Sequence, residues 1–162
     1  MGFIAAAIAW FSNGVGERER LPDCPSNDEG EPKCTVLVID DDPAILLTVK
    51  TLLVKRGFNV LSSSSPPKGL DLLHYAAGDI RIVVLAYRMP KLNGDETLKF
   101  IKQLSPNAKV IGLTSVEFES LPKEYRDGVD KLLSKPVVAT TLCDAVYKLL
   151  GDGQAVSSAV QS

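Results

Sequence analysis

Short apolar runs of strand type alternate with helical segments five times between Cys34 and Gly151, and few folds accept that pattern. The runs are "CTVLVID" from Cys34, "FNVLS" from Phe58, "IRIVVL" from Ile80, "AKVIGLTS" from Ala108 and "KLLSKP" from Lys131. Pro43 suits a first helical turn, and Ala44, Ile45, Leu47, Val49, Leu52 and Leu53 follow as a helix stopped at Arg56-Gly57. Further helices are expected over "SSPPKGLDLLHYA", over "GDETLKFIKQL" with Leu98, Ile101 and Leu104 on one side, and over "ATTLCDAVYKLLG". The exception is "VEFESLPKEYRDGV", where Pro122 allows only a short or distorted helix. Strands joined by helical crossovers must lie parallel, with both sheet faces covered. In such sheets the functional groups collect at the carboxyl ends of the strands.

Those ends carry chemistry in order. The first strand runs into Asp40-Asp41-Asp42, three carboxylates whose mutual repulsion a cation or ammonium must offset. Asp42, before Pro43-Ala44, is also a good helix N-cap, which explains that residue but not all three. The fourth strand ends in Thr114-Ser115, hydroxyls suited to a phosphoryl oxygen or to a local cap. The fifth ends in Lys135-Pro136 and brings an ammonium to the same edge. The third runs into "AYRMPKLNGDE", and its tip is Ala86, a methyl group with no chemistry to offer.

Composition excludes several alternatives. With 18 basic and 20 acidic residues the formal net charge is −2, and no basic stripe with interleaved aromatics points to nucleic acid. Cys24, Cys34 and Cys143 are odd in number and irregularly spaced, so they read as reduced thiols, not a disulfide framework or zinc site. His74 is the only histidine; it reads as a surface or boundary residue of the second helix and leaves no basis for a multi-histidine metal site.

Residues 1–33 precede the alternation. The apolar run Gly2 to Phe11 is shorter than the ~20 residues a bilayer span needs, and no basic residue precedes it as in a signal peptide. It reads as a disordered extension; a membrane contact there would keep the domain after it cytoplasmic, because Arg18 and Arg20 lie beyond the run. Ser12 to Lys33 is a polar linker, residues 34–151 are one domain, and 152–162 form a small polar tail. No output domain is expected after Gly151.

The motifs "VLVIDDDP", "YRMPKLNGDE", "VIGLTS" and "LLSKP" together resemble the receiver domain of two-component response regulators, from Cys34 to about Leu150. The resemblance implies a flavodoxin-like, CheY-like α/β fold with five parallel strands in the order 2-1-3-4-5 and helices on both faces. It implies that Asp40 and Asp41 are the acidic pair that holds Mg²⁺ in the family. Thr114 and Lys135 become the residues that sense the phosphoryl group, and Lys135 often precedes a cis proline bond there. The phosphoacceptor aspartate of the family falls on Ala86, so phosphorylation by the ordinary route is not expected. Asp40, Asp41 and Lys135 sum to −1 instead of the −2 of an intact pocket, so Mg²⁺ binding should be weakened and Lys135 left to pair with Asp40 or Asp41. The switch aromatic expected three residues before Lys135 is Leu132, so the coupling from Thr114 lacks its second half. Leu132 and the Pro122 segment favour natural loss of the acceptor, whereas the intact acid pair, threonine and lysine favour a deliberate Asp-to-Ala change.

The function expected is therefore a single-domain receiver acting as a phosphorylation-independent interaction module in a two-component or phosphorelay pathway. Its partner is a protein, either a sensor histidine kinase or a downstream signalling protein, with no nucleic acid and no enzymatic activity. Two alternatives are weaker. Asp41 as substitute acceptor would have to be metal ligand and nucleophile at once. A haloacid-dehalogenase-like phosphatase is suggested by the D-x-D of Asp40 and Asp42, but that family wants threonine where Ala44 stands.

Overall fold

A computed structural model describes residues 33–76 and 78–151, with the backbone alone for 33 and 34. The apolar segment, nearly all of the linker, Cys24, the side chain of Cys34 and the tail lie outside the described residues. The strands are β1 (Lys33–Ile39), β2 (Phe58–Ser63), β3 (Ile80–Ala86), β4 (Lys109–Thr114) and β5 (Lys131–Ser134). The helices are α1 (Pro43–Val54), α2 (Pro66–Tyr75), α3 (Gly94–Leu104), α4 (Lys123–Gly128) and α5 (Ala139–Gly151). All five strands are parallel, as the alternation predicts, and ordered β2-β1-β3-β4-β5, as the family resemblance implies.

Alternate residues of β1 divide the core. Leu37 and Ile39 face α2, α3 and α4 through Leu73, Leu98, Ile101 and Tyr125. Val36 and Val38 face α1 and α5 through Val49, Leu53, Leu142 and Val146. Burial on both faces explains why β3 reads as a nearly unbroken apolar run: Ile82 through Ala86 are all buried.

Local chemistry sets the helix ends. Asp42 accepts a hydrogen bond from the Ala44 N–H at 2.8 Å, and Pro43 follows as the first helical residue. The chain leaves α1 through Gly57 at φ 95°, a conformation glycine adopts without strain. α3 and α5 have the bounds expected from sequence. The Pro122 segment divides as expected, into a 3₁₀ turn (Phe118–Ser120) and the six-residue α4, with Pro122 at the α4 N-cap.

Two helix leucines are exposed. Leu47 is 67% exposed because α1 buries only Val49 and Leu53, and Leu104 lies at the α3 edge at 36% exposure. Leu104, expected on the same side of α3 as the buried Leu98 and Ile101, is the last residue of the helix, next to its C-cap Ser105. His74 is exposed on α2, with its ring 5.2 Å from Tyr75. Cys143 is a buried free thiol on α5, where it accepts a hydrogen bond from the Arg56 guanidinium. Among the described residues no helix is long and apolar enough to cross a membrane.

Candidate functional site

Sheet register brings the singled-out residues to one edge. Ile39 pairs with Leu85, Ala86 with Leu113 and Thr114 with Ser134. Asp40 therefore stands level with Ala86 on the neighbouring strand, while Thr114 lies one step beyond at the end of β4 and Lys135 two steps beyond, just past β5. Sequence reading stopped the third strand at Leu85; the ladder extends it through Ala86. β2 likewise runs one residue past its quoted run, to Ser63, whereas β1, β4 and β5 end one or two residues short of theirs, leaving Asp40, Ser115 and Lys135 just past the last paired residue.

Asp40 is fully buried, yet it is the hub of the edge. Its Oδ1 accepts the Asp42 N–H at 2.9 Å, which orients the turn into α1. Its Oδ2 lies 2.8 Å from Lys135 Nζ, a close ion pair whose angles are too oblique for a directed hydrogen bond. The Lys135 side chain is 21% exposed and reaches in from the surface, as expected for a lysine that must partner an acid there. Its backbone N–H donates to the Thr114 carbonyl at 2.8 Å, and the following peptide bond, to Pro136, is cis. A buried carboxylate requires such compensation, since an isolated charge would carry a desolvation penalty of several kcal/mol.

Thr114 is buried, and its Oγ1 accepts the Val116 N–H at 3.1 Å, leaving the hydroxyl proton to donate elsewhere. Asp41 and Asp42 are exposed. Asp41 forms one wall of an open cleft whose other walls are Tyr87, Arg88, Met89, Pro90 and Asn93. The loop that carries these residues ends in a turn that only glycine fits: a Cβ on Gly94 would stand 2.8 Å from the Ala86 carbonyl oxygen and 2.8 Å from Tyr87 Cα. The Gly94 N–H donates to the Tyr87 carbonyl at 2.7 Å, folding "YRMPKLNG" back onto the end of β3. Lys91, at φ 72°, makes the reversal within that loop.

Of the two carboxylates at the edge, Asp40 is tied to Lys135 and Asp41 faces solvent. No group of three or more metal-ligating side chains occurs among the described residues.

Sequence reading missed one feature beside the cleft, the tyrosine pair. Tyr125 of α4 is 1% exposed, and its ring centroid lies 4.8 Å from that of Tyr87. It packs over Gly112 of β4 next to Leu132, the half-buried residue at the expected switch position. The legible signal was Gly112 itself, because an isolated glycine inside a strand often marks close approach by another group. Burial pushes the Tyr125 phenol well above its ordinary pKa of 10.0, and the neighbouring Tyr87 and Asp95 add to the shift. The Tyr87 phenol is raised for the same first reason, with Asp95 adding and Arg88 opposing.

A raised folded-state pKa means that Tyr125 stays protonated after the unfolded chain has ionised. Its contribution is therefore intact below pH 10 and is lost as pH rises further toward the folded value. Stability should fall above pH 10 by up to about 1.4 kcal/mol per pH unit, and Tyr125→Phe should flatten that fall. Urea unfolding at pH 9, 10 and 11 on both proteins measures it; equal slopes would contradict the assignment.

Known proteins agree with this architecture. The family model described as "Response regulator receiver domain" matches residues 36–147. The cell cycle transcriptional regulator CtrA of Caulobacter vibrioides is 28% identical over 102 residues, covering 62% of this chain and 43% of that protein. The transcriptional regulatory protein CpxR of Escherichia coli is 33% identical over 104 residues, covering 57% and 44%. The chain thus spans less than half the length of these curated relatives. Among solved structures, a receiver domain protein from Clostridium thermocellum superposes with a TM-score of 0.70 at 31% identity, over 76% of this chain and 99% of that one. The CheX–CheY–BeF3–Mg²⁺ complex from Borrelia burgdorferi gives a TM-score of 0.70 at 24% identity, over 76% and 92%, and supports the fold alone. A matched family model over most of the chain, a receiver-order sheet, and an acid, a threonine and a lysine at one sheet edge lead to one conclusion: this chain belongs to the response regulator receiver domain family.

Proposed function

We propose that this chain is a receiver-fold interaction module of a two-component pathway, acting in the cytoplasm without phosphorylation of its own pocket. The observation that carries the reading is Ala86: a fully buried methyl group ends β3, level with a carboxylate already neutralised by Lys135. Acyl-phosphate formation needs a carboxylate nucleophile, and a methyl group supplies neither nucleophile nor metal ligand. Asp41, the remaining carboxylate on the cleft, would have to serve as both. With Lys135 paired to Asp40, the acidic pocket itself is held in one state, and signalling passes through docking with a sensor histidine kinase or a downstream signalling protein.

Mg²⁺ should bind weakly, at least about tenfold more weakly than to an Ala86→Asp protein, because one direct oxygen ligand is missing. Amide NMR titration with Mg²⁺ and beryllofluoride tests the reading. The protein as it stands should show no saturating shifts at Thr114 or Lys135, whereas Ala86→Asp should show them. Saturating shifts in the unaltered protein would overturn the proposal.

A further inference from the structure

The Tyr125 side chain has an unusual position for a residue on a six-residue helix. A Cβ at Gly112 would lie 2.7 Å from its hydroxyl oxygen and 3.0 Å from Leu132 Cδ2, so the phenol tip fills the space that glycine leaves above β4. The ring is held by Tyr87, Leu98 is close enough to meet a Cβ at Gly128, and the surrounding core includes Leu121 and Val129. Despite this enclosure, the hydroxyl meets no hydrogen-bond partner among the described residues. Asp95 Oδ1 is a second buried oxygen in the same condition, and its charge acts on both tyrosines. An unsatisfied buried hydroxyl disfavours the enclosed state relative to one in which water reaches it. The segment carrying it is lightly anchored: a 3₁₀ turn, Pro122 and a short helix braced at its surface by the exposed Lys123–Asp127 pair.

We infer that Tyr125 is a latch. Its ring over Gly112 holds the Val116–Val129 segment closed, and its unsatisfied hydroxyl sets how often the segment opens. The latch stands on α4, not at the Leu132 position on β5, and it operates without any change at Ala86. Opening withdraws one aromatic side chain from between α4 and β4 and frees the segment from Gly112 and Leu132, so a partner that binds the open form can select it directly.

Amide hydrogen exchange on the full chain tests this, with the β1 and β3 amides as internal reference. Tyr125→Phe keeps the ring and removes the unsatisfied group, so exchange across 116–129 should slow by about fivefold or more while the reference amides stay unchanged. Gly112→Ala, which pushes against the hydroxyl, should speed exchange in the same segment, and adding Tyr125→Phe to it should recover most of the loss. Unchanged or faster exchange in Tyr125→Phe alone would overturn the latch, since the hydroxyl would then be satisfied or without influence.

Discussion

Replacing Lys135 with methionine should destabilise the folded chain by about 3 kcal/mol, far more than loss of a surface ion pair. The reason lies in the asymmetry of the pair: the lysine is partly exposed, but Asp40 is completely buried, and one of its oxygens has no other charge partner. Methionine keeps the length and apolar stem of the side chain, so the loss reports charge and not packing. The double variant Asp40→Asn/Lys135→Met should recover most of the stability, because a neutral amide removes the uncompensated charge. Equilibrium urea unfolding at neutral pH measures both. A loss below about 1 kcal/mol for Lys135→Met would mean that solvent already screens Asp40 and that the pocket is not held closed by this pair.

The second large effect should follow from Ala86→Asp. The new carboxylate would stand at a fully buried position level with Asp40, with one ammonium to serve both acids. Without divalent cation this variant should be less stable than the parent by about 2 kcal/mol or more, since an added buried charge is left largely uncompensated. Mg²⁺ should then restore it. A ligand present at a hundredfold excess over its dissociation constant stabilises the folded state by about 2.7 kcal/mol. The parent protein should show almost no dependence of melting temperature on millimolar Mg²⁺. A parent that is stabilised by Mg²⁺ as strongly as the variant would show that Asp40 and Asp41 suffice as ligands.

Much of this architecture was legible in the order of residues. The alternation of strand and helix fixes parallel pairing, because only crossovers can join such elements, and the N-cap at Asp42 and the turn at Gly57 are local chemistry read from neighbouring residues. Asp40, Thr114 and Lys135 could be placed at one edge because strand ends in a parallel sheet share an edge. What stayed hidden depends on side-chain direction. Sequence offered Asp40 or Asp41 as the partner of Lys135, and only the turn into α1, with Asp40 buried and Asp41 facing the cleft, decides between them. Tyr125 was hidden for a similar reason. Its burial is long-range packing between α4 and β4, set by the absence of a side chain at Gly112, and no period within the short α4 announces it.

The most direct test of the central claim, that Ala86 leaves this receiver without phosphorylation, is intact mass after incubation with Mg²⁺ and a small phosphodonor, run beside Ala86→Asp. The account predicts no change of mass in the parent protein and the gain of one phosphoryl group in the variant. A phosphoryl group on the parent protein would contradict it and place the acceptor elsewhere, with Asp41 the first residue to map.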